Sequence, residues 1–576
     1  MIEEQVKHPR LHKLVIRNFR SIGENPVLIE LDDIVVLVGA NNAGKSSILK
    51  AYELVMSEGS KQCELSIEDF PNHKIVEGKY PEIELHTIVY DKSPGDKWIF
   101  ETEEKEKLVK EKWTWNDIGK PTRYGFDVTK NDWANADDKN KVPWGAANVA
   151  NSRRPKPHIV EAFASPEEQT KQVISILVSI LNDRVTTMKE DEDEKSTFRT
   201  LLDTVKDLQK NIVKESQEQI NKIQAELSKY IGKVFPNYEV EFDAKPEENI
   251  ESTINFFKAN PQLLIGPSNG FKSPIERQGS GARRTLLWTA LRIVAENKKS
   301  KADINRPNVL LLDEPEICLH PNAIRESCDL LYSLPKNDNW QVMVTTHSPQ
   351  FIDISRDNTT IIRVERNAVG EVFGTTIFRP DRAKLTEDDK ANLKLLNIYD
   401  PYVGEFFFGG KIVIVEGDTE YSAFRHIIAK DKEKFKDIHI IRARGKATIV
   451  SLCKILNQFG ANYSVLHDSD TPTCMRNGKS IVNPAWTNNT KILEEINKGN
   501  GKIKLVSSIP HFEGAYYNDE LKSEKPYTAV SMIKDNADVL KSVETLLSNL
   551  CDLTADLPPN AIAWNNIEEL MLKCKY

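Results

Sequence analysis

The chain has 576 residues, of which 39% are hydrophobic, 28% charged and 8% aromatic, with a formal charge of −8. At about 150 residues per domain the length predicts three or four domains, and the apolar share excludes disorder as the main state. The negative balance excludes a uniformly basic coat for nucleic acid, which draws on many Lys and Arg contacts, but leaves room for a local basic groove.

In chain order, the segments from Leu14 to Arg20, Val27 to Leu31 and Ile34 to Val38 read as short strands, with a helix following from Ser46. Further strands are predicted from Pro81 to Tyr90 and from Trp98 to Glu101, and the Trp-punctuated, turn-rich stretch from Asn131 to Pro157 predicts a loop or insertion. Between Pro166 and Lys233 the period changes. Leu201, Val205, Leu208, Ile212, Ile220, Ile223, Leu227 and Tyr230 recur at steps of three and four, which is helical, and the acidic run Glu190 to Glu194 reads as a solvated join between helices. Ser216 in the apolar seam, with Gly232 and Pro236 behind it, argues against one long coiled coil and for a helical arm. Strand and helix alternate again from Gly266 to Phe378, a charged helical connector spans Pro380 to Asp400, and a second alternating unit begins at Lys411. The fold class expected is α/β.

Seven scattered cysteines (Cys63, Cys318, Cys328, Cys453, Cys474, Cys551 and Cys574), never spaced Cys-x-x-Cys, indicate neither a disulfide framework nor a structural zinc. No run approaches the roughly 20 apolar residues of a membrane span, and the opening MIEEQVKHPR lacks the apolar core of a secretory signal. The expectation is a cytoplasmic protein with no membrane partner.

Two groups of motifs carry chemistry. Gly39, Asn41, Asn42, Gly44, Lys45, Ser46 and Ser47 lie in GANNAGKSS, which matches G-x-x-x-x-G-K-S between an apolar strand and a helix. Glycines let the backbone wrap phosphates, Lys45 reaches the β and γ phosphates of ATP, and Ser46 ligates Mg²⁺. Far downstream, NVLLLDEPE is a buried strand ending in Asp313, expected to hold the Mg²⁺ shell, and Glu314, expected to orient or deprotonate the attacking water. VMVTTHS is another strand, whose polar tip places His347 to contact the γ phosphate.

The second group is acidic. KIVIVEGDTE ends a strand in Glu416 and carries Glu420 one helical turn on, while YSVLHDSD ends another in Asp468 and Asp470. Adjacent parallel strands present their C-terminal ends at one edge, so four carboxylates meet there, and their repulsion calls for divalent cations. Oxygen-only ligands point to Mg²⁺ or Mn²⁺ and away from zinc. Arg442, Arg444 and Lys446, near the same sheet, are placed either to meet DNA phosphates or to form a soluble rim.

In the order given, the phosphate loop, the Gly-Ser-Gly element of QGSGARR, the Asp-Glu pair and His347 resemble the ABC-type ATPase head of the SMC and OLD group. That resemblance implies that Ser280 and Gly281 bind the γ phosphate of a nucleotide held by another subunit, so that a homodimer or higher homo-oligomer forms. The element departs from the usual Leu-Ser-Gly-Gly-Gln wording. The interval before it is too short for the long tethering arm of SMC proteins.

Glu-Gly-x-x-Glu followed by Asp-x-Asp resembles the TOPRIM fold. SSIPHFE with Glu513, and Lys525 beyond it, are similar to the third acidic element and the basic residue of the OLD family. By that resemblance Glu416 and Glu420 hold one metal, Asp468 and Asp470 help hold another, Glu513 supports them, and Lys525 offsets charge on the pentavalent phosphate.

The resemblance implies an ATPase head in two parts, 1–160 and 241–380, a dimerising helical insertion at 161–240, a connector at 381–410 and a TOPRIM nuclease domain at 411–576. The function it implies is a nucleotide-regulated, metal-dependent endonuclease of double-stranded DNA. The OLD family includes the Gabija nuclease and retron-associated effectors, which implies a role in antiphage defence and a partner, either a UvrD-like helicase or a reverse transcriptase with noncoding RNA. The rival is a non-nucleolytic, ATP-driven sensor or scaffold whose TOPRIM unit binds without cutting. A primase or topoisomerase fits poorly, for want of a zinc-ligand cluster or a Tyr-bearing cleavage domain.

Overall fold

Strand Lys107–Thr114, KLVKEKWT, turns Val109, Glu111 and Trp113 to one face, and all three are buried there. A carboxylate on that face needs a partner, and Arg154 supplies it through two hydrogen bonds to Glu111 of 2.7 and 2.8 Å. The computed structural model describes residues 9–178, 219–243, 262–296 and 307–574, apart from isolated positions and short stretches within those ranges. The mixed α/β chain divides into two compact units: Met1–Ile34 with Ser46–Thr346, and Val35–Lys45 with His347–Tyr576.

In the first unit an antiparallel sheet runs in the order Val27–Glu30, Arg10–Arg17, Glu82–Ile88, Lys107–Thr114, Thr122–Asp127 and Asp132–Trp133, with Ile99–Glu101 also paired to Lys107–Thr114. A separate parallel set joins Lys156–Val160, Asn308–Asp313 and Trp340–Thr345. The last two, NVLLLD and WQVMVT, are buried almost throughout, as strands covered on both faces must be. The stretch expected as a loop from Asn131 to Pro157 contains the short strand Asp132–Trp133, the helix Ala147–Arg153 and the start of Lys156–Val160. Burial of Ala150 and the Arg154–Glu111 pair overrides the local turn signals. Residues 219–234 are helical, with Ile220, Ile223 and Leu227 buried as their spacing predicts. The acidic run Glu190 to Glu194 and the segment from Leu201 to Ile212 lie outside the described residues.

In the second unit the strand bearing Val35–Val38 lies beside Thr359–Arg366, which pairs antiparallel with Val372–Phe378. A five-stranded sheet follows, in the order Ile438–Arg442, Lys411–Val415, Tyr463–Asp468, Ile503–Ser508 and Ala561–Ala563. Its first four strands are parallel and the last antiparallel. One core of this sheet gathers Val413, Val415, Phe424, Leu466, Val506 and Phe512 under Leu546 and Leu547 of helix Ala537–Cys551. The connector is helical over Glu387–Tyr399. Thr386 and Asp389 form its capping box, and Asp389 is tied by Ser451 and Lys454 to helix Lys446–Gln458. Among the described residues no helix is long and apolar enough to cross a membrane.

Candidate nucleotide and acidic centres

In the second unit the loop after Val38 wraps because its glycines take backbone angles other residues avoid: Gly39 has φ +148° and Gly44 +107°. A Cβ on Gly39 would lie 2.1 Å from the Val364 carbonyl oxygen, so no other residue fits. The buried Lys45 ammonium donates to the carbonyls of Gly39 (3.2 Å) and Ala40 (3.0 Å) and faces His347 Nε2 at 2.8 Å. Arg366 braces the loop by donating to the Asn42 carbonyl at 2.7 Å, leaving the Asn41 and Asn42 side chains exposed.

In the first unit Ser46 Oγ donates to Asp313 Oδ1 at 3.0 Å. Thr345 Oγ1 donates to the same oxygen at 2.5 Å and accepts from the Glu314 amide at 3.0 Å, so one hydroxyl aligns both acidic residues. Glu314 sits at φ 46°, a left-handed conformation uncommon outside glycine, and buried Arg284 donates to its carbonyl at 2.9 Å. A cavity of about 410 Å³ opens beside them, lined by Arg20, Ser46, Lys50, Glu53, Glu161 and Asp313 among others. Ser280 starts helix Ser280–Glu296, and a Cβ on Gly281 would come within 2.8 Å of the Cys318 carbonyl, so the helix start packs directly on backbone.

The acidic centre lies wholly in the second unit. Glu416 ends its strand, and the next helix, Asp418–Lys430, carries Glu420 in its first turn, 4% exposed. A Cβ on Gly417 would meet Glu420 Oε2 at 3.0 Å, so the glycine makes room for the carboxylate to fold back. The Asp468 amide donates to Glu416 Oε2 at 3.1 Å, and the Phe512 amide donates to Asp468 Oδ1 at 2.8 Å. Burial, with Asp468 and Glu416 nearby, holds Glu420 well above the ordinary carboxylate range. Burial, with Glu416 beside it, pushes Asp468 up to about 8. Burial also raises Glu416, against the opposing charge of Lys446.

Glu513 behaves differently. Burial acts to raise it, but the Lys525 ammonium at 3.0 Å outweighs that and holds it below the usual range. Thr419 Oγ1 donates at 3.3 Å to its Oε1, the oxygen that faces Lys525, and His511 Nδ1 lies 3.3 Å from the other, Oε2. Asp470 is paired with Lys446. Among the described residues no group of three or more His, Cys, Asp or Glu side chains is arranged, as it stands, to hold a metal ion. The geometry accounts for it: Asp470 and Glu513 are turned onto lysines, and Glu416 and Asp468 are joined through main chain. The donors, all carboxylate oxygens of like charge gathered at one end of the sheet, are the chemistry of a hard divalent ion.

The structure thus brings Glu416, Glu420, Asp468 and Glu513 together, with Asp470 and Lys525 at the margin. Arg442 donates to Asp418 at 2.9 Å and lies 4.8 Å over the Tyr421 ring, while Arg444 lies 4.7 Å over Tyr399. Lys446, read from the sequence as placed either to meet DNA phosphates or to form a soluble rim, is 4% exposed and reaches inward, because its helix starts at once after Gly445, whose amide donates to the Glu416 carbonyl. The inward pairing of Lys446 with Asp470 and Asn489 was not anticipated. The only signal for its inward turn was its place just after Gly445, at the start of the helix that follows strand Ile438–Arg442.

Comparison with known proteins agrees with both halves. The model for the AAA ATPase domain matches residues 10–352, and that for the overcoming lysogenization defect protein-like TOPRIM domain matches residues 407–470. The Old nuclease of Escherichia phage P2 is 25% identical over 523 residues, covering 88% of this chain and 85% of the relative. The OLD nuclease of Thermus scotoductus is 23% identical over 554 residues, covering 91% and 95%. Endonuclease GajA of Bacillus cereus is 28% identical over 152 residues, 24% of this chain and 22% of its own. Among solved structures, an Smc head bound to the C-winged helix domain of ScpA aligns with a TM-score of 0.39 and 16% identity, over 64% of this chain and 98% of that one.

Proposed function

The chain belongs to the AAA ATPase domain family and, with its OLD-like TOPRIM domain, to the OLD nucleases, and from that premise we propose that it is a nucleotide-regulated, divalent-metal-dependent endonuclease of double-stranded DNA. The observation that carries this reading is the gathering of half-buried Glu416 and Asp468, at the ends of neighbouring strands, around buried Glu420 in the first turn of the helix that follows Glu416, none with an ion-pair partner among the described residues. Three such carboxylates side by side repel one another unless protons or a cation neutralise them, and in this reading a divalent cation takes the protons' place.

In this reading Glu416, Glu420 and Asp468 hold the metal, with Asp470 and Glu513 in support. A divalent ion bound there supplies the charge that activates water and stabilises the departing oxygen of a phosphodiester. Lys525, half-exposed and anchored on Glu513, offsets charge on the phosphate. Mg²⁺ and Mn²⁺ are the ions the oxygen donors suit.

On the ATPase side Lys45 exchanges its loop carbonyls for the phosphates of ATP, while Gly39 to Gly44 and Ser47 shape the loop around them. Ser46 and Asp313 hold Mg²⁺, Glu314 orients water, and His347, beside Lys45, meets the γ phosphate. Ser280 and Gly281 close on the nucleotide of a second copy, which makes the chain a homodimer or larger. The domain division at 160, 240, 380 and 410 follows these roles. The likeness to endonuclease GajA supports the endonuclease chemistry, and a role in antiphage defence, with a UvrD-like helicase or a reverse transcriptase and its RNA as the partner, rests on the resemblance to the OLD family alone.

The test is plasmid cleavage with Mg²⁺ or Mn²⁺. Glu416→Ala and Asp468→Ala should abolish cutting while leaving ATP binding intact. Cutting that survives both substitutions sinks the site, and a wild-type protein that binds ATP and metal but never cuts returns the sensor or scaffold reading.

A further inference from the structure

Lys446 is 4% exposed, and its ammonium has two partners, the Asp470 carboxylate and Asn489 Oδ1, the latter at 2.8 Å. Asn489 is itself fully buried and donates to the Ser469 carbonyl at 2.8 Å, so the lysine and the segment from Asp468 to Asp470 are held by one network. Asp470 is fixed in turn: its backbone sits at φ 57° and its amide donates to the Pro510 carbonyl at 3.2 Å. A buried ammonium is costly to leave unpaired, so this contact is not given up easily.

Glu513 has a lysine too, but of another kind. The Lys525 side chain is 50% exposed, against 2% for Lys446, and water or a substrate phosphate can replace Glu513 as its partner at little cost. Of the five carboxylates, Asp470 alone is tied to a permanently buried cation, while Glu416, Glu420 and Asp468 have no ion-pair partner among the described residues.

We propose that Lys446 is a positioning residue that stands in the place of a cation beside Asp470, so that Glu416, Glu420 and Asp468 form one tight divalent-ion site and Asp470 joins a second, weak one. This deepens the metal-dependent reading above and rests on it. The physical reason is charge: an ammonium already bound to Asp470 repels an incoming divalent ion and withholds the carboxylate it needs.

The experiment counts Mn²⁺ on the full-length, nucleotide-free chain by calorimetry and by Mn²⁺ spin resonance. An Asp313→Asn background is used throughout, so that the ATPase half takes up no ion. The parent should bind one ion tightly and a second at least about tenfold more weakly, and Lys446→Met should strengthen the second by about tenfold. An unchanged second affinity in Lys446→Met, or two equally tight ions in the parent, overturns the proposal. Should Lys446→Met fail to fold by circular dichroism, Asp470→Asn decides: it must remove the weak ion and spare the tight one, and loss of the tight ion overturns the proposal. Glu416→Ala separates the two readings. If it leaves the tight ion in place, the metal site itself is wrong, whatever Lys446 does.

Discussion

The backbone amide of Asp468 donates to Glu416 Oε2 at 3.1 Å, so the carboxylate at the end of one strand is steadied by the main chain of the next. The bond is possible because the strands run parallel with Val415 opposite Leu466, which brings their C-terminal ends level. Repulsion between the two side chains is thereby built into the sheet rather than left to flexible loops.

That repulsion makes stability depend on pH in an unusual direction. Asp468 has an ordinary value of 3.8 and is pushed up to about 8 in the folded chain, so between those values the native state holds a proton that the unfolded state releases. Stability from this group is therefore present at low pH and lost as pH rises toward 8. In EDTA the melting temperature of the wild type should fall relative to Asp468→Asn between about pH 5 and pH 8. Added Mn²⁺ should raise it more at the upper end, where protons no longer compete. Thermal melts of the two proteins across this range, with and without metal, check both signs.

Gly417 offers a one-atom test of the same centre. A methyl group there would press on Glu420 Oε2 at 3.0 Å, and φ of −130° allows alanine without backbone strain. Gly417→Ala should keep its helical signal while Mn²⁺ affinity drops by about tenfold. Calorimetry showing parental affinity would mean that Glu420 is not a ligand.

In the ATPase half the residue to remove is Thr345. Its hydroxyl binds both Asp313 and the Glu314 amide, but that amide also has the Thr345 carbonyl at 3.1 Å. Thr345→Val should therefore cost only about 1 kcal/mol of stability. ATP hydrolysis should slow by about tenfold as Asp313 loses its support, with nucleotide affinity little changed. Steady-state hydrolysis alongside fluorescent-nucleotide binding tells these apart.

Arg154→Met should be far more damaging to folding than to chemistry. Among the described residues it leaves fully buried Glu111 with only the longer Arg123 contact at 3.7 Å, and since breaking a buried pair costs about 3–5 kcal/mol, the loss should be about 3 kcal/mol. Exposed Arg153→Met, the neighbouring control, should stay within about 0.5 kcal/mol in urea unfolding.

Much of this molecule is local and so can be read along the chain. The run from Gly39 to Ser46 declares a phosphate loop because only glycine tolerates φ near +148° with a carbonyl 2.1 Å from where a Cβ would stand. Apolar runs ending in Asp313 and Glu416 announce buried parallel strands, since covering both faces leaves little room for polar residues before the tip, whereas the strand ending in Asp468 buries Ser464 and His467 as well. Tertiary structure alone decided which charges meet. Lys446 is separated from Asp470 by 24 residues and from Asn489 by 43, and nothing in the spacing tells an inward lysine from a rim lysine. Arg154 likewise draws a turn-rich stretch into order through Glu111, 43 residues away. Backbone conformation and burial period are set by neighbours in the chain, whereas the pairing of buried charges is set by packing between distant segments, where low dielectric makes each contact decisive.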